Sequence, residues 1–229
     1  MRVVVNAAMS ADGKLSTRDR EQVPISGPTD FERVDELRAG SGAVMVGVGT
    51  VLADDPSLTV DDPVRTAIRE ADGEPMQPAR VVADSRCRTP LDSRVLDDDA
   101  RTYLLASEAA ATDRIEAVED TGATVIVSGE ERVDLEGALA ELEAEGIDQL
   151  MVEGGGEVIA SLFEAGLVDE LSVYVGSMVI GGREAPTLVD GAGFTEEFPR
   201  LSLLGVERID DGVLLQWLVE NDDRGDVSR

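Results

Sequence analysis

The chain has 229 residues, 42% of them hydrophobic, which suits one domain with a core of its own. Its 48 Asp and Glu against 20 Lys and Arg give a formal charge of −28, and aromatics make up only 3%, so phosphate backbones and anionic lipid are repelled and nucleic acid and membrane are excluded as partners. With no His and a single Cys, Cys87, the chain has no imidazole base or ligand, no internal disulfide and no cysteine-cluster metal site, and no bound metal is expected.

Taken in chain order, apolar runs with strand character fall at 3–8, 43–48, 80–83, 102–105, 124–127, 149–152 and 171–175. Near-continuous apolar runs of this kind read as strands buried on both faces. Helical segments lie between them. Residues 29–39 open with a Thr29-x-x-Glu32 capping box, 113–121 and 135–145 stop at Gly122 and Gly146, and 157–165 stops at Gly166. The alternation predicts an α/β fold with a mostly parallel central sheet and helices on both faces. Strands at 201–209 and 213–219 flank Asp211-Gly212, a hairpin turn signal, so an antiparallel C-terminal hairpin closes the sheet. Long loops are expected at 10–28 and at 61–78, the second marked by Pro63, Pro75, Pro78 and clustered acids.

Residues 1–219 therefore read as one domain and 220–229 as an acidic, disordered tail. No run approaches the roughly 20 apolar residues of a membrane span and the first residues lack the form of a signal peptide, so a cytoplasmic protein is expected. Acid spread evenly through patterned segments has the look of a halophile's cytoplasmic protein.

Chemistry must then come from carboxylates, from Lys14 (the chain's one lysine), from backbone or from a cofactor. Gly154-Gly155-Gly156 directly follows the strand ending near Glu153 and opens a helix. Bare amides at a helix N-terminus make a phosphate cradle, although a tight turn needing positive φ gives the same triplet. A second strand-to-helix junction, Val46-Gly47-Val48-Gly49-Thr50, offers two glycines and a hydroxyl for the same purpose. Asp54-Asp55, further along, suits a metal, a ribose hydroxyl, or simply a helix end before Pro56. Lys14 follows the Asp12-Gly13 turn past the first strand, where α/β sheets place ligands; a solvated cation is the plainer alternative.

Six segments occur in the order seen in one family: Asn6-Ala7-Ala8-Met9-Ser10-Ala11-Asp12-Gly13-Lys14, the run 46–59, Arg80-Val81-Val82-Ala83-Asp84-Ser85, Val152-Glu153-Gly154-Gly155-Gly156, Gly166-Leu167-Val168-Asp169-Glu170 and Gly181-Gly182-Arg183-Glu184-Ala185-Pro186-Thr187. From residue 2 to about 219 the chain resembles the riboflavin-pathway pyrimidine reductases, both the reductase domain of the bacterial fusion protein and its free-standing archaeal counterpart. The resemblance implies a dihydrofolate-reductase-like fold, NADPH and a homodimer. Position by position it implies that Thr50, Asp54 and the three glycines hold the cofactor. Ser85, helped by Arg86, meets the adenosine ribose and its 2′-phosphate, and Asn6, Asp12, Lys14, Arg38 and Glu153 fall where substrate is held. A substrate-phosphate arginine of the bacterial domain corresponds here to about Asp61, which shifts that task toward Arg38 or Lys14. The residues around Val23-Pro24-Ile25-Ser26 also depart from the bacterial form.

The reaction implied is hydride transfer to C1′ of a pyrimidine ribosylamine phosphate opened to an iminium, which turns a ribosyl into a ribityl group without a histidine acid. Glu153 and Lys14 are the side chains assigned to the catalytic centre. Glu153 orients the pyrimidine or a sugar hydroxyl, or else caps the next helix. The resemblance to free-standing forms favours the diamino pyrimidine, before deamination, over the aminouracil after it. Dihydrofolate reduction on the same fold would need an aromatic pocket that seven aromatic residues make unattractive. A zinc deaminase is excluded for want of its Cys-x-x-Cys pair. The non-enzymatic alternative is an NADPH-binding or acidic interaction module.

Overall fold

In the computed structural model, which describes residues 1–220, nine strands form one sheet. They are β1 (Arg2–Ser10), β2 (Ala43–Gly47), β3 (Ala79–Ala83), β4 (Thr102–Ala106), β5 (Thr124–Val127), β6 (Gln149–Gly154), β7 (Glu170–Gly176), β8 (Arg200–Ile209) and β9 (Gly212–Glu220), in the order β5-β4-β3-β2-β6-β1-β7-β9-β8. The pairs from β5 to β7 are parallel, while β9 runs antiparallel to both β7 and β8. Among the described residues the helices are α1 (Pro28–Ala39), α2 (Val48–Asp54), α3 (Pro63–Ala71), α4 (Thr112–Glu119), α5 (Leu135–Ala144) and α6 (Gly156–Glu164), with a 3-10 turn at Arg94–Leu96.

Period-two alternation splits β2, β3 and β4 between two cores. Ala43 and Met45 of β2 join Val3, Val5, Leu150 and Val152 in a core under α5 and α6. Val44 and Val46, one residue out of step, face the opposite layer with Val82, Leu104 and Val51 of α2 and Val118 of α4. The apolar runs look continuous in sequence because both faces are covered.

Four expectations are corrected. The stretch 61–78 is not one loop: α3 begins inside it, capped by the Asp62 side chain, which accepts from the Val64 amide, with Pro63 at the first helical turn. Pro63 is a helix starter here, since its missing N–H is one that a first turn leaves unpaired anyway. Thr29 and Glu32 form no capping box, because α1 starts at Pro28 after Gly27 and Thr29 donates its hydroxyl to Asp210 instead. The hairpin's two linking residues are Asp210 and Asp211, with Gly212 already paired to Ile209 in β9. Glu220, assigned to the tail, is strand and pairs with Arg200; the remainder of the expected tail, 221–229, lies outside the described residues.

Candidate active site

A cleft of about 1630 Å³ opens at the carboxyl ends of β1, β2, β3 and β6, larger than the roughly 300–1,000 Å³ that one small ligand fills. It therefore has room for two molecules side by side. The sheet itself creates the opening: β2 and β6 shift register between Met45 and Val46, so that Val46 faces Gly154 just where both strands end.

One half of the cleft is built from turns. β2 runs directly into α2, which brings Gly49, Thr50 and Asp54 to the wall, and β6 runs through Gly154, Gly155 and Gly156 into α6. Gly155 has φ +94, and a Cβ there would sit 3.3 Å from Val158 Cγ1 and 3.4 Å from the Gly47 amide nitrogen, so glycine is required by conformation as well as by space. No side chain caps α6, whose first turn, Gly156 to Val158, lines the cleft. The triplet is a tight turn that needs glycine, and a turn of this form at a helix start is compatible with a phosphate beside it. A Cβ on Gly154 would stand 3.5 Å from the Thr50 hydroxyl, which places the two junctions against each other.

At the far end of this half stands Ser85, whose Oγ accepts from the Val133 amide at 3.1 Å; this occupies a lone pair and not the hydroxyl hydrogen. Beside it Arg86 reaches Glu131 at 2.7 Å, and Arg88 and Arg132 also line the cleft. Asp54 faces the cleft, while Asp55 accepts from the Arg94 amide at 2.8 Å and so secures the 3-10 turn. Among the described residues no group of three or more His, Cys, Asp or Glu is placed to hold a metal.

The other half is built around α1 and the floor strand β1. Arg38 forms a two-pronged ion pair with Glu153, Nε to Oε1 at 2.5 Å and Nη2 to Oε2 at 2.7 Å, and also donates to the Thr59 carbonyl at 2.8 Å. Burial opposes the Arg38 charge, but the hydrogen bond and charge of Glu153, then the charges of Asp61 and Asp35, raise its pKa above the ordinary value. Asn6 lies 5% exposed on the floor, its Oδ1 accepting from Arg33 Nη2 at 2.8 Å. Asp61 lines the cleft, and its amide donates to Asp35 Oδ1 at 2.6 Å.

Of the residues singled out from sequence, Asn6, Arg38, Thr50, Asp54, Ser85, Arg86, Glu153, Gly154, Gly155 and Gly156 converge on this cleft. Asp12 and Lys14 are placed just outside its lining. The Asp12 carboxylate accepts from the Ser10 hydroxyl at 2.6 Å and from the amides of Ile180 and Gly181, and the Ser10 bond, then that of Ile180, hold its pKa at about 2. Lys14 bridges Thr187 through its backbone and donates from Nζ to the Ala185 carbonyl at 3.2 Å, while the next residue, Leu15, lines the cleft. Cys87 is buried, its thiol pushed up to about 11 by that burial, which keeps it protonated and unreactive near neutrality.

Sequence reasoning missed Ser26, Asp30 and Arg33. Asp30, 1% exposed, takes Ser26 Oγ at 2.6 Å and Arg33 Nε at 2.9 Å, so that three polar groups brace Asn6 from beneath α1. An Asp–Arg pair three residues apart on a helix was the available signal. It was hidden because such pairs are usually solvated, and nothing in the sequence says that this one is covered. Arg20, Arg88 and Arg132, three further cleft arginines, carry no motif.

Comparison with known proteins agrees with this geometry. A protein of Archaeoglobus fulgidus named 2,5-diamino-6-ribosylamino-4(3H)-pyrimidinone 5′-phosphate reductase is 47% identical over 92% of this chain and 94% of its own length. Among solved structures, a pyrimidine reductase-like protein of Corynebacterium diphtheriae superposes with a TM-score of 0.85 at 19% identity, covering 96% of this chain and 92% of that one. Dihydrofolate reductase of Enterococcus faecalis follows the same fold more loosely, with a TM-score of 0.50 at 12% identity over 96% of this chain and 97% of that one. Residues 1–215 match the RibD C-terminal domain family, and the chain belongs to that family, with a dihydrofolate-reductase-like fold.

Proposed function

We propose that this protein is an NADPH-dependent oxidoreductase of riboflavin biosynthesis that reduces the ribosyl group of 2,5-diamino-6-(ribosylamino)pyrimidin-4-one 5′-phosphate to ribityl. The observation that carries the reading is 47% identity along nearly the whole chain to a reductase bearing that substrate's name, on a cleft with two chemically distinct halves.

In the turn-built half, Thr50, Asp54 and the amides of Gly154, Gly155 and Gly156 hold the nicotinamide cofactor and its pyrophosphate, and Ser85 with Arg86 meets the 2′-phosphate end. NADPH, when bound, supplies the hydride. In the α1 half, Asn6, Arg38 and Glu153 hold the pyrimidine and the opened sugar at the carboxyl end of β6, beside the cradle. The Glu153 carboxylate, fixed by two arms of Arg38, presents a stationary negative charge to the cationic C1′ that accepts hydride, so no proton transfer from a histidine is required. Lys14 keeps two further N–H groups beyond the one on Ala185 and serves the sugar phosphate from the rim, while Asp12 anchors residues 180–181 against that rim.

The cytoplasmic protein works as a homodimer. Its edge strand β8 exposes Leu203, Leu204 and Val206 at 55–62%, with Phe198 and Leu218 nearby, an apolar edge of the sort that a second copy covers. The acidic surface suits a salt-rich cytoplasm.

NADPH absorbance followed with the diamino pyrimidine and with the corresponding aminouracil tests the reading. Oxidation is expected with the diamino compound; oxidation with the aminouracil alone would move the enzyme after deamination, and oxidation with neither would remove the proposal.

A further inference from the structure

α1 carries Asp30, Phe31 and Arg38 into the cleft, yet its own N-cap residue, Gly27, has no side chain with which to fix the first turn. The cap arrives from the other end of the chain. Asp210, the first linking residue of the β8–β9 hairpin, accepts from the Thr29 hydroxyl at 2.7 Å, the Thr29 amide at 3.4 Å and the Asp30 amide at 3.2 Å. The neighbouring Asp211 secures the hairpin to β7 and the segment after it, taking Ser177 Oγ at 2.5 Å and the Tyr174 hydroxyl at 3.4 Å. Asp210 adopts φ +51, a left-handed conformation that Asp takes up more readily than most residues and that suits a two-residue hairpin turn.

The contact leads straight to the floor of the cleft. The Asp30 amide is held by Asp210, the Asp30 carboxylate holds Ser26 and Arg33, and Arg33 holds Asn6 Oδ1. Gly27 belongs to the same arrangement: a Cβ there would fall 2.5 Å from Asp210 Oδ2, although its φ of −98 and ψ of −179 suit any residue. The smallest side chain at Gly27 would therefore displace the carboxylate without straining the backbone.

We infer that Asp210 is a positioning residue for the reaction: by capping α1 across the fold it sets the polar floor of the substrate half, and Gly27 exists to admit its carboxylate. The inference rests on the assignment of that half of the cleft to the pyrimidine.

Asp210→Gly removes the cap while relaxing the backbone, Gly27→Ala pushes the same carboxylate away from the other side, and Asp210→Asn keeps one acceptor. With NADPH and the diamino pyrimidine, each of the first two is expected to raise the pyrimidine KM about three- to thirtyfold, the range of a lost cap. NADPH affinity, measured by binding, should move less than about twofold. The double variant should be no worse than the single ones, since both remove one contact, and Asp210→Asn should recover much of the KM. An unchanged KM in folded variants that merely melt earlier would overturn the inference, and so would additive effects in the double variant. A wild-type protein that fails to oxidise NADPH with either pyrimidine would instead overturn the functional assignment and the inference with it.

Discussion

Arg38 and Glu153 meet side by side in two parallel contacts of 2.5 and 2.7 Å, although one comes from the last turn of α1 and the other from the carboxyl end of β6. Their side chains are 18% and 12% exposed, so neither charge is well hydrated without the other. Truncating one partner strands the other, at a cost on the order of 3 kcal/mol, whereas removing both at once costs less than the sum. Arg38→Met and Glu153→Gln are each expected to lower melting temperature and to reduce kcat/KM at least tenfold, with the double variant more stable than additivity predicts. Thermal melts and steady-state kinetics on the four proteins check this; additive stabilities would show that the pair is not coupled.

Gly154 separates the cradle from the fold. The nearest atom to a Cβ built there is the Thr50 hydroxyl at 3.5 Å, an ordinary contact, so Gly154→Ala should fold with stability changed by less than about 1 kcal/mol. The added methyl stands where the cofactor pyrophosphate approaches, and NADPH affinity should fall about tenfold. Titration of the folded variant with NADPH gives the answer, and wild-type affinity would remove the cradle assignment.

Arg86 is held by Glu131 at 2.7 Å on an exposed surface, where such a pair is worth roughly 1 kcal/mol or less. A 2′-phosphate offers a stronger, two-pronged partner, so the guanidinium should exchange one for the other. Arg86→Ala is expected to weaken NADPH about ten- to thirtyfold and NADH hardly at all, on the scale of one charge-assisted hydrogen bond. Glu131→Gln should tighten NADPH a few fold by releasing Arg86. Equal affinity of the wild type for both cofactors would refute the role.

The parts of this protein that were legible in sequence are those where local and global demands coincide. Apolar runs such as 43–47 and 149–152 are strands because both their faces are covered, and Gly154 to Gly156 is recognisable because the turn into α6 holds Gly155 at φ +94. What stayed hidden depends on distant partners. α3 is concealed by acids that look like a loop until Asp62 is seen as its cap, and Thr29 does not cap α1 because the cap comes from Asp210. The Asp30–Arg33–Asn6 brace was likewise illegible, since burial of a charge pair is a property of what packs over it.

Self-repulsion should govern stability at low salt. A formal charge of −28 on 229 residues repels itself in the folded state, and ions screen that repulsion over about 10 Å at 0.1 M. The melting temperature is expected to climb steadily from low to molar KCl. A flat or falling curve would refute the halophilic reading of the composition.

Lys14 provides the sharpest test of the substrate rim. It is the single lysine in a chain that otherwise uses arginine, and its ammonium donates to the Ala185 carbonyl at 3.2 Å, next to a cleft lined by Leu15 and Pro186. The bond from this ammonium to a neutral carbonyl, long at 3.2 Å and part-buried at the surface, contributes on the order of 1.5 kcal/mol, so Lys14→Met should leave a folded protein with an intact bridge to Thr187, which runs through backbone. A charge-assisted contact to a sugar phosphate is worth roughly 1.5–3 kcal/mol, which predicts a ten- to hundredfold fall in kcat/KM with NADPH affinity nearly unchanged. Lys14→Arg should rescue only in part, because a flat guanidinium does not fit where an ammonium reaches a carbonyl and a phosphate together. Kinetics at matched salt, with the dephosphorylated nucleoside as a second substrate, separate the two tasks: the variant should lose its preference for the phosphorylated compound. If Lys14→Met keeps wild-type kcat/KM and the same preference, the lysine only holds the 185–187 segment in place, and the phosphate must be bound elsewhere in the cleft.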